Sequence, residues 1–200
     1  MNFLRRFGPV GFIAVHVEIL VLCGTLLAAF GVQFFEGEMP CPLCILQRLA
    51  MMISAMGTAF IVVRWKEGRL AQADYMTGHG MILLAALAGA AISTRHILLH
   101  ISPPDPGYGS PVFGLHLYTW ALIVFLCLIG TSGIAMVFGD WLIEGQARFG
   151  WWSQAVVCLL AVVILANTLV IICEQGFHFL LPSDPQRYEL FHDLGLQPTP

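Results

Sequence analysis

The chain has 200 residues, of which 58% are hydrophobic and only 10% are Asp, Glu, Lys or Arg, with a formal net charge of −3. A soluble domain usually carries about 25% charged residues, so this composition excludes an ordinary water-facing shell. Nine basic residues scattered along the chain make no nucleic-acid surface, and a chain of this length is expected to form one unit.

A membrane span needs about 20 mainly apolar residues to cross about 30 Å of hydrocarbon. Backbone groups inside lipid must pair within their own segment, so apolar windows of that length are expected to be helices. The first window, 11–32, follows Arg5 and Arg6. It is long for a signal-peptide core and has no persuasive small-residue cleavage site before Gln33, so it is expected to stay as the first span. Its inner half holds His16 and Glu18; snorkelling is the expectation for Glu18, with an interhelix hydrogen bond or a proton route as the functional alternatives.

The second and third windows, 45–63 and 79–99, flank a short basic stretch containing Arg64, Lys66 and Arg69. The fourth, 117–138, carries Gly130, Thr131, Ser132 and Gly133, which suit either a broken helix or close helix packing. The fifth, 152–173, like the fourth, has no Asp, Glu, Lys or Arg, and its Asn167 is expected to bond between helices. The expected fold is therefore an all-α integral membrane protein, with a single transmembrane domain over 1–174 and an outer tail over 175–200.

Basic residues set the orientation. With the N-terminus in the cytoplasm, Arg5, Arg6, Arg64, Lys66, Arg69 and Arg148 lie inside and only Arg187 lies outside. Arg48 and Arg95 then fall within spans near their outer ends, and the C-terminus is periplasmic in a Gram-negative bacterium. Trp65, Trp120, Trp141, Trp151 and Trp152 all sit near span ends, where amphipathic rings prefer to be.

Between the first two spans, on the outer side, runs Met39-Pro40-Cys41-Pro42-Leu43-Cys44. No second Cys-x-x-Cys and no neighbouring Cys/His cluster accompanies it in sequence, so no metal site is expected. Pro42 suits the first helical position, because its missing N–H is not needed there. Both cysteines would then lie in a first turn whose free N–H groups and dipole favour a thiolate, as disulfide exchange requires. An inert disulfide clamping the loop is the structural alternative. Arg48 follows Cys44 by four residues and so shares its helix face. There it would either meet lipid headgroups or offer N–H donors to an oxygen gaining negative charge. Gln47 adds a further hydrogen-bonding group.

The segment Cys41-Pro42-Leu43-Cys44-Ile45-Leu46-Gln47-Arg48 resembles the signature of the DsbB family, bacterial membrane quinone:disulfide oxidoreductases. The likeness runs from about Phe12 to Pro111 and includes Thr94-Arg95-His96-Ile97-Leu98-Leu99-His100 closing span three. It implies a four-helix bundle, here with a fifth transmembrane helix, in the bacterial inner membrane, with ubiquinone or menaquinone bound near its outer surface. Carried onto this chain, Cys44 faces the quinone, Cys41 exchanges with the electron donor, and Arg48 assists quinone binding. Gln47, Arg95 and His96 are the further candidates for the cofactor site.

One departure stands out. Family members typically carry a second cysteine pair in the outer loop after span three, whereas this loop, His100 to Pro111, has none. Cys23, Cys127 and Cys158 fall inside spans, with apolar packing as the expectation, and Cys173 alone reaches the outer edge. The expected partners are therefore the bilayer, a quinone, and either a periplasmic thiol protein or a partner membrane subunit. A non-enzymatic accessory subunit, with Cys41–Cys44 as a structural brace, is the competing class.

Overall fold

The computed structural model describes residues 8–65, 70–143, 149–178 and 184–196, and these form an all-helical protein without a sheet. The helices are α1 (Gly8–Gly31), α2 (Pro42–Arg64), α3 (Gln72–Leu99), α4 (Leu117–Val137), α5 (Gly139–Ile143), α6 (Trp151–Gln175) and α7 (Glu189–Asp193). Five of them are long and apolar enough to cross a membrane. Basic residues Arg5, Arg6, Lys66, Arg69 and Arg148, used above for orientation, lie outside the described residues.

Span bounds differ from expectation for local reasons. α1 does not stop at Val32 but continues as a π-helical turn, Val32–Glu36, closed by Gly37 at φ 71°. α3 begins seven residues before His79, because Gln72, Asp74 and Thr77 add a polar turn, and Asp74 there pairs with Arg64 at 3.1 Å. α4 is one unbroken helix. Gly130 and Gly133 on it have open space where a Cβ would stand, so they serve no close approach. The close approaches are elsewhere: a Cβ on Gly78 would lie 2.2 Å from Ile61, and one on Gly89 would lie 2.3 Å from the Phe125 ring.

α2 is the central helix, packed against α1, α3 and α6. The core joins Leu22 and Leu26 of α1, Ile61 of α2, Ile82 of α3, Phe125 of α4 and Leu160 of α6. Leu84, Val137, Val162 and Leu165 point outward, the apolar exterior that lipid contact demands. Cys23 is buried in the core, but Cys127 and Cys158 are on the exposed exterior rather than packed inside as expected.

Polar side chains within the spans revise two expectations, those for Glu18 and Asn167. Glu18 does not snorkel; it accepts a hydrogen bond from Thr58 Oγ1 at 2.8 Å, tying α1 to α2. His16 meets Ser153 Oγ at 2.9 Å and ties α1 to α6. Asn167 donates to Val163 O of its own helix at 2.9 Å instead of bridging helices. Trp65 is fully buried against Phe12, and Trp120 donates to Val112 O at 2.9 Å, so neither ring serves as a free lipid anchor. Part of the tail also folds back: Asp193 accepts from the Phe177 N–H at 3.1 Å and meets His178 at 3.0 Å, and Glu189 is buried.

Candidate functional site

Cys41 is the N-cap of α2, with extended backbone angles, and Pro42 is the first helical residue. The Cys44 N–H, one of the free donors of that first turn, donates to Cys41 Sγ at 3.3 Å. The two thiols are unbonded, with sulfurs 2.9 Å apart. His96, fifty-five residues on, comes to 3.8 Å from Cys41 Sγ through Nε2, and its Nδ1 stands 3.5 Å from Gln47 Nε2. With the Gln47 amide nitrogen as donor, His96 Nδ1 is the acceptor and Nε2 the ring nitrogen that can donate to the sulfur. The Cys41 thiol is lowered to about 5 by the hydrogen bond to Cys44, by His96 and by the Cys44 N–H, against the opposing effect of burial.

Folding thus assembles a Cys41–Cys44–His96 cluster that the sequence separates, with ligand atoms within 4.8 Å of one another. Three donors fall short of the closed four-ligand set of a structural zinc site. A thiolate held by a buried imidazole is the signature of a reactive cysteine.

The two sulfurs open onto different spaces. Cys44 lines a largely apolar cavity of about 490 Å³ that also receives Gln47 and Arg48 and is walled by α1 and α4. Cys41 lines a separate cleft of about 1090 Å³ with Arg95, His96, His100, Asp184 and Gln186. Of the residues expected around one cofactor, Gln47 and Arg48 are at the cavity, while Arg95 and His96 are on the Cys41 side.

The loop without cysteines, between α3 and α4, forms a strap between these spaces. Tyr108 donates to Met39 O at 2.6 Å and borders both of them. Burial pushes its phenol above the ordinary range, so it stays a neutral donor. Ser110 donates its backbone N–H to Glu38 at 2.8 Å. Gly107 (φ 86°) and Gly109 (φ 72°) are required here, since a Cβ would come within 2.5 Å of His116 and 2.8 Å of Glu38 respectively.

Arg48 is only 7% exposed, so it does not reach headgroups. Its guanidinium donates to Gln33 Oε1 at 2.8 Å and to Ala29 O at 3.3 Å, and lies over the Phe30 ring at 5.6 Å. Gln33 in turn donates to Glu174, at the end of α6, and to Tyr188 Oη at 3.3 Å. Neither Gln33 nor Glu174 stood out in the sequence: one follows an apolar run and the other closes one, where polar residues are ordinary. The only signal was their position at the ends of two spans.

The fold is a helical membrane bundle with a Cys-x-x-Cys pair placed between two cavities. The family described as "Disulfide bond formation protein DsbB" matches residues 13–110. A disulfide bond formation protein B of Aromatoleum aromaticum is 30% identical over 161 residues, covering 78% of this chain and 91% of the relative. That of Polaromonas naphthalenivorans is 30% identical over 159 residues, covering 77% and 89%, and that of Chromohalobacter salexigens is 27% identical over 158, covering 76% and 88%. No solved structure matches. The chain belongs to the DsbB family, a multi-pass inner-membrane protein with a thiol-oxidoreductase role.

Proposed function

We propose that this protein is a membrane thiol:quinone oxidoreductase that makes a disulfide at Cys41–Cys44 and passes electrons to ubiquinone or menaquinone. The observation that carries this reading is the separation of the two sulfurs, Cys41 toward the outer cleft and Cys44 toward the apolar cavity. The cavity fits a quinone ring. Its volume of about 490 Å³ lies within the usual range for small-molecule sites, and Arg48 and Gln47 supply the few polar groups such a site needs to orient a carbonyl oxygen. A bound quinone would supply the acceptor of two electrons and two protons for each donor dithiol oxidised.

The chain's own residues handle the sulfur chemistry. A donor thiolate attacks Cys41 Sγ of the oxidised pair, the Cys41–Cys44 bond breaks, and the electron pair leaves on Cys44. The donor's second thiol then attacks the donor sulfur bonded to Cys41. This closes the donor disulfide and releases Cys41 as a thiolate, a departure eased by His96 and by the Cys44 N–H. Cys44, beside Arg48, is left holding the electrons at the cavity. With no cysteine in the strap, the donor meets Cys41 directly. Cys41 faces the periplasm in this reading, where disulfides persist, with the N-terminus cytoplasmic and the C-terminus periplasmic.

The test is quinol production from added dithiol by the purified protein, followed by ultraviolet absorbance. Activity lost on Cys44→Ala supports the reading. No quinol formation by the parent protein would leave Cys41–Cys44 as a structural brace in an accessory subunit.

A further inference from the structure

We propose that Glu174, on the fifth membrane-spanning helix, is a positioning residue for Arg48, so that α6 is a working part of the cavity rather than an added span. This inference rests on the quinone reading above.

The geometry fixes its own polarity. A carboxylate can only accept hydrogen bonds and a guanidinium can only donate them. Gln33 stands between the two, so its amide must present Oε1 to Arg48, at 2.8 Å, and Nε2 to Glu174. The chain Arg48–Gln33–Glu174 therefore has one possible orientation, and each member holds the next in place. All three are buried, at 7%, 3% and 3% exposure, so none is held by solvent instead. The π-helical turn Val32–Glu36 is what brings Gln33 inward at the end of α1; such turns often mark functional positions.

Gln33 and Arg48 border the cavity, whereas Glu174 does not. Glu174 thus acts through Gln33, by pinning the amide that pins the guanidinium. Its second carboxylate oxygen, Oε2, is buried with no hydrogen-bond partner among the described residues, an unfavourable state for a group with no task. Arg48 is itself a buried cation at a span end, and Glu174 supplies its counter-charge without occupying the cavity face. A direct contact would draw the guanidinium toward α6; the amide spacer leaves it between α1 and the cavity, bonded also to Ala29 O.

The experiment compares Glu174→Ala, Glu174→Gln and Arg48→Met. Binding of decylubiquinone is read as the ligand-induced Tm shift, titrated to a Kd, in a Cys41→Ser/Cys44→Ser background that cannot turn over. Quinone KM and kcat are read separately in the active background. Glu174→Ala is expected to weaken binding by about tenfold, the size of a lost hydrogen bond to a charged group, and to raise KM in parallel. Glu174→Gln, whose amide oxygen can still accept from Gln33 but which carries no charge, is expected to recover most of the loss in binding and KM, short of the parent values. Adding Glu174→Ala to Arg48→Met should change neither further. Unchanged binding in Glu174→Ala, an equal loss in Glu174→Gln, or a full additional loss on top of Arg48→Met would each overturn the positioning role. A parent protein that binds no quinone analogue would withdraw the quinone reading itself, and this inference with it.

Discussion

Arg48→Met keeps an unbranched apolar stem while removing the guanidinium and with it every donor. In the intact protein two of the guanidinium contacts are committed, to Gln33 Oε1 at 2.8 Å and Ala29 O at 3.3 Å, and the remaining N–H groups are free for a ligand in the cavity that Arg48 lines. Losing one such donor to a developing negative charge costs about 3 kcal/mol, or about a hundredfold in rate. If the contact is made equally well before electron transfer, the loss appears as a raised quinone KM at constant kcat; if it tightens during transfer, kcat falls. Truncation also leaves the buried Glu174 without its counter-charge. With an amide between the two groups we expect about 2 kcal/mol of lost stability, below the usual cost of breaking a direct buried pair. The assay is a quinone titration at saturating dithiol, run well below the melting temperature of the variant. The Cys41–Cys44 disulfide should still form. An unchanged kcat/KM would refute the assignment of Arg48 to the cofactor, whatever happened to stability.

In Cys44→Ala, Cys41 has no internal partner, so its thiolate should attack the disulfide of an oxidised donor, displace one donor thiolate and accumulate as a mixed disulfide at Cys41; mapping the adduct to Cys173 would exclude direct transfer to Cys41. Alkylation of reduced Cys41 by iodoacetamide, in a Cys44→Ala background, separates the helix and His96 effects from the Cys44 thiol bond. Its midpoint should lie above the value of about 5 held by the dithiol form, and His96→Phe should raise it further; no response to His96→Phe would remove the imidazole from the site. In the dithiol form the depressed Cys41 pKa contributes stability that is complete at the ordinary thiol value of about 9 and is lost as pH falls toward about 5, which thermal melts across that window would check. Gly89→Ala drives a Cβ to 2.3 Å from the Phe125 ring and should lower stability by about 1–3 kcal/mol; an unchanged Tm would show that α3 and α4 yield freely. Ala28→Trp, on the α1 wall of the cavity, should abolish quinone reduction while leaving disulfide exchange at Cys41 intact, and residual reduction at the parent rate would put the quinone elsewhere.

The helices and the redox pair were legible because each signal is local. Apolar length marks a span, and Cys41-Pro42-Leu43-Cys44 at a helix start brings its capping geometry with it. What the sequence hid depends on contacts between distant segments. His96 joins Cys41 across fifty-five residues, and Glu174 joins Gln33 across more than twice that separation. Glu18 shows the same limit in another form. Near a span end a carboxylate is equally compatible with snorkelling and with a partner, and only the placement of Thr58 on the neighbouring helix decides. The small residues misled in the opposite direction: the Gly130–Gly133 cluster looked like a packing motif, yet isolated Gly57, Gly78 and Gly89 make the close approaches.

The division between the two spaces has a chemical consequence. Tyr108, tied to Met39 O, and the strap around Gly107 and Gly109 stand between the cleft at Cys41 and the cavity at Cys44. A protein thiol is polar and bulky, whereas a quinone partitions into lipid. The cavity suits the second: Gly24 and Ala28 of α1 and Ala121 of α4 are small, and a Cβ on Gly24 would meet nothing. These small side chains keep the walls apart where longer ones would fill the space. Under the proposed function, electrons cross from one side to the other as a sulfur–sulfur exchange within the Cys41–Cys44 pair. Under the proposed function neither reactant needs to enter the other's space, and the polar chain from Arg48 through Gln33 ties the cavity lining to Glu174 on α6.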